Sequence, residues 1–142
     1  MLNEEQFDMD LMDDELDREQ YVAETIMSAG HGVICPLANS VRIEESNMFT
    51  GQEFIDMDMI LMRNMVAWRS AIVMRRGWLS SVGANNELQM AESLNWLVLD
   101  MEELTDEEFK AQLEQVLATI GPCTMYIAGK YRHYRTDEIT GE

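Results

Sequence analysis

The chain has 142 residues, 46% of them apolar, and a formal net charge of −17 from 27 acidic and 10 basic side chains. That length suits one domain with a real core, and that apolar fraction excludes disorder by composition. The charge argues against binding to nucleic-acid backbones, which need a basic footprint, and favours a protein partner with a basic surface.

Residues 1–29 read as an acidic N-terminal helical arm. Asn3 with Gln6, and Asp17 with Gln20, have the spacing of helix N-caps. The second of these helices would carry Tyr21, Val22 and Ile26 toward a stop at Gly30. Asp8, Asp10, Asp13, Asp14, Glu15 and Asp17 are the carboxylates of this arm expected to meet a partner. The N-terminus is acidic rather than basic and then apolar, so no secretory leader is expected.

Residues 30–128 read as one globular domain. Its first part is loop, from Gly30, Gly32, Pro36, Asn39 and Asn47, with strand-like pieces at 33–35 and 41–43. Thr50 and Glu53 then make a capping box, and apolar residues cover most of the circumference of the segment it opens. One helix is expected from there to Arg76, stopped by Gly77, although 54–59 also alternates as a strand would. Asp56, Asp58, Arg63 and Arg69 interrupt this apolar stretch, so no membrane span is expected. Met57, Met59 and Met62 belong to it, and methionine suits adaptable binding surfaces as well as irregular cores. Arg75 and Arg76 belong to a stretch, 59–86, with four arginines and no acid.

Residues 77–86 read as a connection, and Asn86 with Gln89 as the cap of the next helix. Alternation at Leu97, Leu99 and Met101 predicts a short strand over 96–101, in competition with a continued helix. Thr105 and Glu108 make the clearest capping box, with Phe109, Leu113, Val116, Leu117 and Ile120 next on one helical face. Gly121 and Pro122 end that helix, and 123–128 reads as a short strand or a docking segment.

Residues 129–142 are a basic-aromatic segment and tail, in which Lys130, Tyr131, Arg132, Tyr134 and Arg135 interleave cations and rings. Charge is therefore segregated. Residues 1–24 carry ten acids and one arginine, a net of −9, and residues 100–115 carry seven acids and one lysine, a net of −6. Complementary zones of this kind suit a homo-oligomer as well as a foreign partner.

The expected fold class is α+β and helix-dominated, with about four to five helices and short strands at 33–35, 41–43, 96–101 and 123–128. The expected core is Phe54, Ile60, Met65, Val66, Trp68, Ile72, Leu94, Leu97, Phe109, Leu113, Val116, Leu117 and Ile120.

Chemistry is harder to find. Two cysteines, Cys35 and Cys123, are too few for a disulfide framework. With His31 and His133 they match no standard zinc spacing, and nothing around Cys35 forms a nucleophile motif. No glycine-rich phosphate loop stands after a strand. The sequence therefore predicts no metal, no cofactor, no membrane contact, no nucleic-acid binding and no enzymatic activity. The function it suggests is a cytoplasmic, non-enzymatic protein-binding factor: an adaptor, chaperone or inhibitor. A viral or mobile-element DNA mimic that blocks a defence complex, and a small structural subunit of a larger assembly, are the alternatives.

Overall fold

Helices and strands alternate along the chain in the computed structural model, which describes residues 9–36, 50–65 and 69–129. They are α1 (Met9–Ser28), β1 (Gly32–Ile34), α2 (Gly51–Arg63), β2 (Ser70–Met74), α3 (Val82–Ser93), β3 (Leu97–Asp100), α4 (Asp106–Thr119) and β4 (Thr124–Ala128). A 3-10 turn, Trp78–Ser80, stands before α3. The expected mixture of helices and short strands is present. The strands at 33–35, 96–101 and 123–128 are β1, β3 and β4, within a residue or two at each end. The stretch 41–43 lies outside the described residues.

All four strands are parallel and form one sheet in the order β1-β4-β2-β3. β4 is therefore central, with Ile34 and Ile72 level with Tyr126 on either side. Both faces of the sheet are covered, as parallel sheets require. α1 and α4 cover one face, where Val22, Ala23, Ile26, Phe109, Leu113 and Val116 pack on Ala71, Val73, Leu99, Met125 and Ile127. α2 and α3 cover the other, where Met62, Ala84 and Ala91 pack with Ile72, Met74, Tyr126, Ala128, Trp78 and Trp96. The strict alternation within β2 and β4 sends successive side chains into opposite layers.

Four expectations are corrected here. The chain from Thr50 to Arg76 is not one helix. The Thr50–Glu53 capping box does start α2, but the helix stops at Arg63, where the Asn64 side-chain amide donates to the Ile60 carbonyl at 2.8 Å. Ser70–Met74 is instead β2, buried along its whole length. A central strand buried on both faces is a continuous apolar run, which periodicity cannot separate from a buried helix.

α1 is also continuous, so Asp17 lies inside it rather than capping a second helix. Glu19, Val22, Ala23 and Ile26 are all buried, a spacing of i, i+3, i+4, i+7, and docking of that stripe outweighs the tenths of a kcal/mol that an interior Asp costs. The chain does turn at Gly30, whose φ is +98°. α3 starts four residues earlier than Asn86, capped by Ser81, whose hydroxyl accepts from the Ala84 N–H at 3.1 Å. Finally, Ile60, Leu97, Leu117 and Ile120 are exposed rather than core. Leu97 lies on the edge strand, Ile60 and Leu117 face outward from their helices, and Ile120 is the exposed residue just past the end of α4. Val66 and Trp68 lie outside the described residues.

At the amino end of the sheet, His31 is a buried clamp. Its Nδ1 accepts the Cys123 N–H at 3.0 Å, and its Nε2 contacts the Leu113 carbonyl at 2.8 Å. An acceptor at Nδ1 forces the proton onto Nε2, so the ring is neutral and both nitrogens are satisfied. It ties the start of β1 to α4 and to the entry of β4. Among the described residues, no helix is long and apolar enough to cross a membrane.

Candidate functional site at the carboxyl edge of the sheet

The connection leaving β2 crosses to α3 on one face of the sheet, and the connection leaving the adjacent β3 crosses to α4 on the other. The two loops part where they leave the strands, and the crevice between them is where open parallel sheets bind ligands. Here that crevice is a cavity of about 460 Å³ lined by Asp17, Arg18, Tyr21 and Val22 from α1, Arg75 and Arg76 after β2, and Met101 after β3.

Hydrogen bonds hold the two loops in fixed relation. The Met101 N–H donates to the Met74 carbonyl at 2.9 Å. The Trp78 indole N–H donates to Asp100 Oδ1 at 2.8 Å, and that same oxygen accepts the Glu102 N–H at 2.9 Å. Glu102 in turn accepts from the Gly77 N–H. Gly77 has φ +87°, a left-handed turn that a side chain would strain, and this turn carries the chain sharply away after Arg76. Arg76 reaches across to α4, donating from Nη2 to the Leu104 carbonyl at 3.1 Å and to Asp106 Oδ1 at 2.8 Å.

Arg75 is placed differently. It is only 4% exposed, and its backbone N–H donates to the Ala128 carbonyl at 2.7 Å. Its side chain lies across the backbone of Gly129, so closely that a Cβ at 129 would stand 2.6 Å from Arg75 Nε. Glycine is thus required at the exit of β4 for close approach by an arginine. On its other side, the Gly129 carbonyl lies 3.5 Å from the Ser81 hydroxyl that caps α3.

At the end of β1, Cys35 senses both Arg75 and the buried Glu19 of α1. Burial pushes the Cys35 thiol up to about 11, Glu19 adds to the rise, and Arg75 opposes it. The thiol is therefore protonated near neutrality and is not a nucleophile there. Arg75, Glu19 and Cys35 bring ionisable groups together where β1, β4 and β2 end.

A second pair of ionisable groups lies on the opposite face. Glu87, in the second turn of α3, is 1% exposed and accepts a hydrogen bond from the Tyr126 hydroxyl in the middle of β4. The Trp96 ring flanks Tyr126 at 6.4 Å between centroids. Asp58 of α2 is buried on the same side. Buried acids are uncommon unless satisfied, and their clustering is a known mark of functional sites as well as of structural networks.

The structure brings together three of the side chains picked out from sequence: Asp17, Arg75 and Arg76. Asp10, Asp13, Asp14 and Glu15 belong to the first two turns of α1. Met57 is exposed, Met59 half-buried, and Met62 a fully buried core residue. Asp8, Lys130, Tyr131, Arg132, Tyr134, Arg135 and His133 lie outside the described residues. Among the described residues no group of three His, Cys, Asp or Glu side chains is placed to hold a metal ion.

Sequence reading missed Arg18, Tyr21, Met101, Glu87, Tyr126 and Gly129. The usable signal was the strand-end rule, in which residues just after each parallel strand share one edge, and it needed β2 to be recognised as a strand. Comparison of the chain with protein-family models, with curated proteins and with solved structures finds no match in any of the three.

Proposed function

We propose that the protein binds a small polar molecule in the crevice between the ends of β2 and β3, walled by the second half of α1. The observation that supports this reading is the cavity itself, which opens where adjacent parallel strands send their connections to opposite faces. Its lining joins charged groups to one aromatic and two apolar side chains, the composition of a site that orients a small ligand. Chemical-shift mapping of a library of small polar compounds on the full chain tests it. The amides of 17–22, 75–77 and 101–102 are expected to move together. Shifts confined to α2 or to the exposed face of α4 would overturn the reading.

A second reading is favoured by the surface of α4. Glu102, Glu103, Asp106, Glu107, Glu108 and Glu114 are all exposed, with Lys110 among them. That surface supports the non-enzymatic protein-binding factor suggested by composition, docking on a basic protein face. Capture experiments comparing the wild-type chain with Glu107→Lys and Glu114→Lys test it. Partners retained by the reversed-charge variants at equal strength would sink it.

A further inference from the structure

The strand order β1-β4-β2-β3 leaves β3 at an edge among the described strands. Edge strands are commonly guarded against pairing by lysine, proline or a bulge. Apart from its brevity β3 has no such guard, and Leu97 and Val98 are both exposed. One hydrogen bond fixes which way the backbone faces. Met101, next after β3, donates its N–H to the Met74 carbonyl of β2 at 2.9 Å. Successive residues of a strand turn their backbone groups to opposite sides. Leu97 and Leu99 therefore bond to β2 as well, whereas Val98 turns both its N–H and its C=O away from the sheet. Among the described residues neither group has a partner.

The helix beside this edge changes character along its length. Its entry is acidic, with Glu102, Glu103, Asp106, Glu107 and Glu108 gathered where β3 ends and α4 begins. Farther along, Gln112, Gln115, Val116 and Thr119 border Leu97 and Val98 at i, i+3, i+4 and i+7, and Ile120 follows them. None of these positions carries a charge. Glu114 shares a different groove of α4 with Tyr21 and Lys110. A basic partner gains little from Leu97, Val98 and a pair of amides, while the entry of α4 suits it well. A second copy of a chain of net charge −17 has the opposite requirement, because it must approach where carboxylates do not face each other.

A residue that presents one donor and one acceptor outward is its own complement about a two-fold axis. In an antiparallel ladder it forms the closely spaced pair, in which two opposed residues exchange both of their bonds. A two-fold through Val98 makes its N–H donate to the Val98 carbonyl of the partner subunit, and the reverse. It also sets Leu97 opposite Leu99 of the partner subunit, on the face that α4 covers. The two Asp100 residues are carried to opposite ends, roughly 14 Å apart along the strands. That separation exceeds the screening length of about 10 Å at 0.1 M salt.

We infer that the chain forms a two-fold dimer by antiparallel pairing of β3 with β3 of a second copy, centred on Val98. The inference is independent of the small-molecule reading of the crevice, which stands or falls on its own test.

Sedimentation velocity of the full chain, from micromolar to near-millimolar concentration, tests it. A species of twice the chain mass is expected. Val98→Lys and Val98→Glu each set like charges side by side on the axis, and each is expected to weaken the dimer roughly tenfold. Mixing the two variants should restore it as a heterodimer, which a merely structural role for Val98 would not do. Salt should tighten the wild-type dimer by screening repulsion between the copies. Thermal melting of each variant shows whether the fold is kept. Hydrogen exchange at the Val98 amide needs no variant: it should be slow in the dimer and fast on dilution. A chain that stays monomeric near millimolar concentration would overturn the inference, as would Val98 exchange that ignores concentration. A dimer that loosens in salt and is indifferent to both variants would also overturn it, and would assign the contact to the acidic and basic zones instead.

Discussion

Gly129 carries more of the site than its size suggests. Arg75 Nε would lie 2.6 Å and Arg75 Cβ 2.9 Å from any Cβ placed there. Gly129→Ala must therefore displace either the guanidinium or the end of β4. We expect a loss of about 1–3 kcal/mol in chemical denaturation, typical of overpacking. Combining it with Arg75→Ala should recover part of that loss, since the clash is pairwise. Strict additivity in that cycle would show that the clash is relieved elsewhere. Cys35 offers a second reading of the same neighbourhood. With its thiol pushed up to about 11, alkylation by iodoacetamide should accelerate about tenfold per pH unit between pH 8 and 10. Glu19 raises the value, so Glu19→Gln should lower it and speed alkylation at fixed pH. The sign for stability comes from the same shift. The folded thiol holds its proton longer than the unfolded one, whose value is 9.0, so this contribution is present below that pH and fades as pH rises through about 11.

At the scale of elements, local signals were legible where they act through bonds of short sequence separation. Both capping boxes, at Thr50 and Thr105, are formed as their spacing predicts. Thr105→Ala should cost roughly 0.5–2 kcal/mol, read as a lower denaturation midpoint. The backbone and side-chain hydrogen bonds to Thr105 hold the Glu108 carboxyl below its usual range. A depressed carboxyl stabilises the fold above its unfolded value and stops doing so as pH falls through its folded value. The stability gap between wild type and Glu108→Gln should accordingly narrow in acid; a gap unchanged down to the unfolding pH would show that the box contributes nothing through charge. Strand β2 was not legible, because Ala71, Ile72, Val73 and Met74 are buried on both faces and their alternation serves two cores rather than core and solvent. The site shared that fate. Asp17, Arg75 and Arg76 stood out as charges, but only the sheet places Arg75 on Gly129, 54 positions later in the chain, and Glu87 under Tyr126, 39 positions away.

For the molecule as a whole, charge and topology pull against each other. A net charge of −17 repels itself in the compact state, and exposed α4 concentrates that repulsion on one side. Moderate salt should therefore raise the melting temperature by screening, at least until the Arg76–Asp106 pair, exposed on both sides, is screened too. A melting temperature that falls from the first addition of salt would mean that specific pairs outweigh the general repulsion. The parallel sheet was likewise invisible in sequence, because strand order is set by crossovers and not by any one segment.

The position of β4 has a consequence in time as well as space. Among the described residues β1 is hydrogen-bonded to β4 alone, and β4 is the last of the sheet's strands in chain order. While the protein is being synthesised, β2 and β3 can pair around α3 as soon as they emerge. β1 must wait, with α1 behind it, until about ninety further residues have been added, which takes several seconds at ordinary elongation rates. During that interval Val22, Ala23 and Ile26 lack Met125 and Ile127, the part of their core that β4 supplies. The dense carboxylates at the start of α1 are then expected to serve the nascent chain as well as the folded one, by keeping an unfinished apolar stripe dispersed until its partner strand arrives.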